Sequence, residues 1–126
     1  MSLIVHIKVF NEILDQFFEF LETEFEDFRS DIILTRTGID FIRQNNPRLV
    51  IEQFMTMIKP YKTKVFECDE DFFLNFQLLP GVSNEQSMLW TKVKKIWISD
   101  SINNTQKAYI WLYFQKLIKA GEKLQL

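Results

Sequence analysis

Residues 10–25, FNEILDQFFEFLETEF, carry apolar side chains that recur at three- and four-residue spacing. This spacing places them on one side of an α-helix. The apolar stripe consists of Phe10, Ile13, Leu14, Phe17, Leu21, Phe25 and Phe28. The opposite side carries Glu12, Asp15, Glu19, Glu22 and Glu26. We therefore predict one long amphipathic helix from Leu3 to about Asp27.

The next two segments show the same periodicity. Residues 30–46 predict a second helix, with Ser30 or Asp31 as its N-cap. Asn46-Pro47 predicts the start of a third helix, because proline lacks an N–H that the first helical position does not need. Pro60 predicts its end, and the residues after it predict a short helix.

The C-terminal half adds two apolar stripes, around residues 88–98 and 106–120. Thr105 is the predicted N-cap of the last helix, and Gly121 its C-terminal stop. Pro80-Gly81 predicts a loop before these helices. Residues 1–126 are therefore predicted to form a single all-α domain, a compact helical bundle of about five to seven helices.

The composition limits the functional classes. Hydrophobic residues make up 47% of the 126, which excludes a disordered chain. One cysteine cannot form an intrachain disulfide, and one cysteine with one histidine cannot build a structural zinc site. No run approaches the ~20 apolar residues of a membrane span, and the N-terminus lacks a basic leader. We expect a cytoplasmic protein with no membrane partner and no cofactor.

The segment CDEDFFLN, residues 68–75, is the strongest candidate for chemistry. Cys68 could act as a nucleophile with His6, and the three acids after it could bind a hard cation. A helix start explains the segment better, with Asp69 as N-cap, acids in the first turn, and Phe72 and Phe73 docked on the core. We therefore predict no catalytic residue and no metal site.

Charge is distributed unevenly along the chain. Residues 1–31 hold eight acids, whereas residues 92–123 hold seven lysines. The lysines could contact a nucleic-acid backbone, or they could face the acidic first helix within the fold or in a neighbouring copy. The candidate nucleic-acid contacts are Lys92, Lys94, Lys95, Lys116 and Lys119.

Trp90, Trp97 and Trp111 occur at helical spacing and are first of all candidates for the core. Any that stayed exposed would be interface anchors, because tryptophan is enriched at binding hot spots. The acidic side of the first helix is the other candidate contact surface. The predicted partner contacts are Glu12, Asp15, Glu19, Glu22, Trp90 and Trp97.

Four stretches carry a resemblance to a known group of proteins. They are FNEILDQFFEFLETEF, NPRLVIEQFMTMIKPYKTKVFECDEDFFLN, KVKKIW and KAYIWLYFQKLIKAGEK, and together they cover most of the chain. The chain resembles small, mostly uncharacterised helical proteins of giant viruses, the nucleocytoplasmic large DNA viruses. The resemblance implies a viral origin, expression in the host cytoplasm, and an accessory or virion-associated role. It supplies no catalytic residues.

These observations predict a non-enzymatic module for protein–protein interaction. It would act as an adaptor or structural component of a viral assembly in the host cytoplasm, in a viral factory or in the virion. A viral or host protein, or a second copy of the chain, would be the partner. The alternative is a nucleic-acid-binding accessory protein that uses the lysine-rich C-terminal helices.

Overall fold

The structure, a computed structural model, describes residues 3–75 and 85–124. In these residues the chain forms α1 (Leu3–Glu24), α2 (Arg29–Asn45), α3 (Pro47–Ile58), α4 (Lys62–Phe66), α5 (Glu70–Asn75), α6 (Glu85–Ile98) and α7 (Asn104–Glu122). Short 3₁₀ turns occupy Glu26–Phe28 and Lys59–Tyr61. The prediction of an all-α bundle in one compact domain is confirmed. The predicted loop at Pro80-Gly81 lies outside the described residues.

Helix α1 provides the central wall of the core. Its fully or almost fully buried residues are Phe10, Leu14, Phe17, Phe18 and Leu21. The helix ends at Glu24 instead of Asp27, because Phe25 leaves helical geometry at φ −126° and ψ 74°. Phe25 is nevertheless buried, so the turn that reverses the chain also keeps this ring in the core.

Helix α1 contacts α7 on one side and α2 and α3 on the others. The Phe17 ring meets Phe114 of α7 edge-on, with ring centroids 5.2 Å apart, and stacks on Tyr113 at 5.1 Å. Phe10 meets Phe54 of α3 edge-on at 5.5 Å. Such aromatic pairs stabilise a core beyond the area that they bury.

The short helix α5 is held by one aromatic cluster, which we call the Phe73 cluster. The Phe73 ring lies 4.9 Å from Trp90, 5.0 Å from Trp97 and 5.7 Å from Trp111, centroid to centroid. Trp97 and Trp111 also meet at 5.4 Å. The cluster therefore joins α5 to both α6 and α7.

The N-caps differ in part from those predicted. The Asn46 Oδ1 accepts a hydrogen bond from the Leu49 N–H at 3.2 Å, which confirms the predicted start of α3. Helix α2 already begins at Arg29, so neither Ser30 nor Asp31 is its N-cap. Thr105 lies inside α7, whose N-cap is Asn103 in a capping box with Gln106.

Gly121 does not end the last helix. It is buried inside α7, which continues to Glu122. A Cβ on Gly121 would overlap the Met55 Sδ of α3, so a larger residue would require Met55 to move. The glycine therefore serves the close approach of α3 and α7.

We expect Phe73→Ala to lower the free energy of unfolding by about 3–5 kcal/mol, because it empties the centre of the Phe73 cluster. Phe72→Ala is the matched control, since Phe72 is only half-buried against Tyr61. Chemical denaturation of both variants measures the difference. Equal losses would contradict the assigned role of Phe73.

Candidate functional site

Cys68 lies two residues after the end of helix α4. Its φ of 54° lies in the left-handed region that favours glycine. The Cys68 N–H donates to the Val65 carbonyl and the Asp69 N–H donates to the Lys64 carbonyl, both at 3.1 Å. This pair of bonds is the Schellman motif, with cysteine where glycine is usual. The role that the structure supports for Cys68 is therefore to turn the chain.

The side chain of Cys68 contacts Gln115, whereas the catalytic alternative considered from the sequence would pair it with His6. Its exposed Sγ lies 3.5 Å from the Gln115 Nε2. His6 is half-buried in the first turns of α1. Among the hydrogen bonds of the described residues, none joins Cys68 to His6.

The three acids after Cys68 have different surroundings. The Asp69 Oδ1 accepts from the Phe72 N–H at 2.9 Å, which makes it the predicted N-cap of α5. Glu70 pairs with Lys107 at 3.4 Å, and Asp71 is exposed. Within residues 3–75 and 85–124, no three acidic, histidine or cysteine side chains could together hold a metal ion.

Two of the four acids that were predicted as partner contacts on α1 form ion pairs with helix α2. Arg36 binds Glu22 at 2.8 Å, and Arg43 binds Asp15 at 2.8 Å. Arg43 also binds Asp40 on its own helix. Burial alone would lower the pKa of Arg43, but its hydrogen bonds to Asp40 and Asp15 outweigh that effect and raise the pKa. Asp15 and Glu22 are therefore part of the contact between α1 and α2.

The other half of that surface faces solvent. Glu12 and Glu19 are exposed, and neither forms an ion pair with a described residue. Glu19 borders a groove of about 450 Å³ between α1 and α7. The groove is lined by Gln16, Glu19, Phe20, Thr23, Glu24, Tyr109 and Tyr113, and we call it the acidic–aromatic groove.

The aromatic rings of this groove form one cluster. The Phe20 ring lies 5.6 Å from both Tyr109 and Tyr113, centroid to centroid. Tyr113 already has Lys116 Nζ 5.8 Å from its ring centroid. Tyr109 is 50% exposed and is the ring most open to a ligand. A second concave surface of about 390 Å³, lined partly by Ala108 and Leu112, begins on the other side of Tyr109.

Sequence reasoning missed Phe20, Glu24, Tyr109 and Tyr113 as members of a site. One signal was present: Tyr109 and Tyr113 are four residues apart, and so lie on one side of a helix. Phe20 lies beside the apolar stripe of α1 instead of within it. Phe20 meets Tyr109 and Tyr113 because α1 packs against α7. No local sequence pattern predicts that packing.

The tryptophans predicted as partner contacts are buried. Trp90 is 3% exposed and Trp97 is 4% exposed, since both indoles pack on Phe73. Both were predicted as partner contacts only if they stayed exposed, and their burial contradicts that condition. The alternative that all three tryptophans belong to the core is confirmed.

The predicted lysine contacts have several different neighbours. Lys92 and Lys95 lie 3.7 Å and 3.5 Å from Asp31 of α2, so they pair with α2 and not with the acidic side of α1. Lys119 lies over the Phe66 ring at 5.5 Å. Lys94 is half-buried on α6. These contacts spread the lysines over two helices with separate surroundings.

Among the helices of the described residues, none has the length and apolar character needed to cross a membrane.

We expect Cys68→Gly to stabilise the fold by about 1 kcal/mol, because glycine adopts the left-handed conformation without the steric cost that a side chain adds. Cys68→Ser is the matched control and should leave stability almost unchanged, since serine keeps that cost. Denaturant titrations of the three proteins provide the measurement. A serine variant as stabilised as the glycine variant would contradict the backbone explanation.

We expect acid to weaken the α4–α5 turn. The Phe72 N–H, helped by Lys64, holds the pKa of Asp69 below its ordinary value. The pKa of Asp69 in the folded chain is thus below the unfolded value of about 3.9. The ionised carboxylate therefore stabilises the fold, and this contribution is fully present above the unfolded pKa. This contribution is lost as the pH falls through the lowered pKa.

Asp69→Asn should therefore flatten the decrease in melting temperature between pH ~5 and ~2, because asparagine caps the helix without titrating. Thermal melts across this range test the expectation. Asp71→Asn, which alters an exposed acid in the first turn of α5, is the control. Identical pH profiles for Asp69→Asn and the unaltered protein would refute it.

Comparison with known proteins gives no relative from which a function could be carried over: no protein-family model, curated protein or solved structure matches this chain.

Proposed function

We propose that this chain is a non-enzymatic protein–protein interaction module that binds a basic segment of a partner protein in the acidic–aromatic groove. The observation that carries the proposal is the placement of Glu19 and Glu24 beside the exposed ring of Tyr109. Carboxylates and an aromatic face are both attractive to a lysine or arginine side chain.

The size of the groove suits such a ligand. Its volume of about 450 Å³ lies within the range of ordinary ligand pockets, so it has room for one or two long side chains. Tyr109 would provide a rigid anchor, because a tyrosine ring loses little conformational freedom on binding. The carboxylates on the rim would steer a basic partner to the ring and set its orientation.

The charge arrangement supports the same surface. Asp15 and Glu22 are neutralised by Arg36 and Arg43, so they would add little to the attraction of a distant cation. Glu12 and Glu19 remain exposed on the side of α1 that adjoins the groove. Of the four acids predicted as partner contacts, we therefore propose only Glu12 and Glu19 as contacts.

The nucleic-acid alternative has weaker support. Lys92 and Lys95 share Asp31 as a partner, whereas Lys116 and Lys119 lie against aromatic rings. A phosphate backbone would have to compete with these contacts. The proposed setting, an adaptor or structural component of a giant-virus assembly in the host cytoplasm, depends on the sequence resemblance alone.

Titration with a synthetic 15-residue peptide that carries arginine at every third or fourth position tests the proposal. We expect NMR shift changes centred on Tyr109 and Phe20, and affinity that falls as salt rises. Glu19→Lys should weaken binding by about tenfold, through a lost ion pair and a repulsive charge. Tyr109→Ala should weaken it by a similar factor through the lost cation–π contact.

Glu67→Lys is the matched control, because Glu67 is an exposed acid at the end of α4, outside the groove lining. It should leave the affinity for the peptide unchanged. Absence of binding at low salt, or equal losses in Glu19→Lys and Glu67→Lys, would contradict the proposal. Tighter binding of a single-stranded oligonucleotide that is lost in Lys92→Glu would favour the alternative function instead.

A further inference from the structure

Helix α2 has an outward surface without a single ionisable side chain. We call this surface the neutral α2 face, and it consists of Ser30, Ile33, Leu34, Thr37, Gly38, Phe41, Gln44 and Asn45. Leu34 is 70% exposed, Phe41 is 68% exposed and Ile33 is 45% exposed. Charged residues make up a quarter of the chain, so a helix face with large apolar side chains and no charge is unusual for its surface.

The charged residues of α2 lie to either side of this face. Arg36 and Arg43 turn towards α1, where they bind Glu22 and Asp15. Asp31 turns towards α6, where it meets Lys92 and Lys95. The other two charged residues of α2 also have partners, since Asp40 pairs with Arg43 within the helix and Arg29 pairs with Glu26 of the preceding turn. The surface between these charged flanks is neutral and apolar.

We infer that this face pairs with the same face of a second copy of the chain, α2 against α2 across a two-fold axis. In such a symmetric contact each surface meets its own duplicate, so a charged surface would oppose like charge. The neutral α2 face avoids that repulsion. The acidic side of α1 and the lysines of α6 would each meet like charge in a symmetric contact. A strongly charged partner, in turn, would gain no ion pair from a neutral face.

The positions of the large side chains fit an antiparallel pair. Leu34 and Phe41 are seven residues apart, about 10 Å along the helix, and lie on the same side. A two-fold axis between Thr37 and Gly38 places Leu34 of each copy opposite Phe41 of the other. Gly38 and Thr37 then lie at the crossing, where a small residue lets two helices approach closely.

The size of the contact sets its strength. One helix face per copy buries less than the ~800 Å² per partner of a stable interface. The dimer is therefore weak and reversible, and it forms as the protein concentration rises. Since it uses α2, it rests on different residues from the proposed groove between α1 and α7.

Sedimentation velocity of the full chain from about 10 µM to 1 mM tests the inference. We expect the sedimentation coefficient to rise towards that of a dimer, and Phe41→Glu or Leu34→Glu to hold the protein as a monomer throughout. Ile98→Glu is the matched control, because Ile98 is a 65% exposed apolar residue on α6. An unaltered protein that stays monomeric at 1 mM, or equal loss of dimer in Ile98→Glu, would overturn the inference.

A cross-linking measurement gives a second test that does not depend on the glutamate variants folding. In a Cys68→Ser background, Thr37→Cys should form a dimer disulfide under a mild oxidant at concentrations where Thr105→Cys does not. Both threonines are exposed, on α2 and α7 respectively. Equal yields from the two variants would show that random collision is enough to form the disulfide, and would contradict the proposed two-fold contact between α2 helices.

Discussion

The burial of Phe73 among three tryptophans is the constraint on which the arrangement of α5, α6 and α7 depends. An isolated helix of six residues is not stable in water, so α5 exists because Phe73 is buried and Asp69 caps its first turn. The cluster continues into the main core, since Trp90 lies 5.1 Å from Phe114, which meets Phe17 of α1. One chain of ring contacts thus connects the six-residue helix α5 to α1, the longest of the described helices.

Local patterns were enough to predict the main helices. The apolar stripe of α1 and the Asn46-Pro47 start of α3 follow from side-chain periodicity and from capping chemistry, which act within a few residues. The burial of Trp90 and Trp97 could not be predicted in this way, because it depends on their contact with Phe73 of α5. The conformation of Cys68 was also hidden, since a glycine would have indicated the left-handed turn and a cysteine does not.

The candidate surfaces were predictable only in part, because an acidic stripe does not reveal which of its members are already paired. Asp15 and Glu22 lie on the flank of α1 that faces α2, whereas Glu19 lines the groove. Glu12 lies one helical turn before Gln16 of the groove lining, and so on the same side of α1. A useful signal was the seven-residue separation of Arg36 and Arg43, which places both on one side of α2. This spacing indicates that α2 neutralises acidic side chains of another helix. Only the fold shows that these acids belong to α1.

The two proposed contacts use different sides of the molecule, and this has a consequence for affinity. Helix α1 meets α7 at the groove through Phe20, whereas it meets α2 through the ion pairs of Arg36 and Arg43. A dimer built on the neutral α2 face would therefore leave both grooves open. A partner with two basic segments could then occupy both, and the second binding event would be intramolecular, with an effective concentration of up to the order of millimolar. Weak self-association and a shallow groove would in this way combine into firm binding of a repetitive basic partner, whereas a partner with one basic segment would dissociate readily.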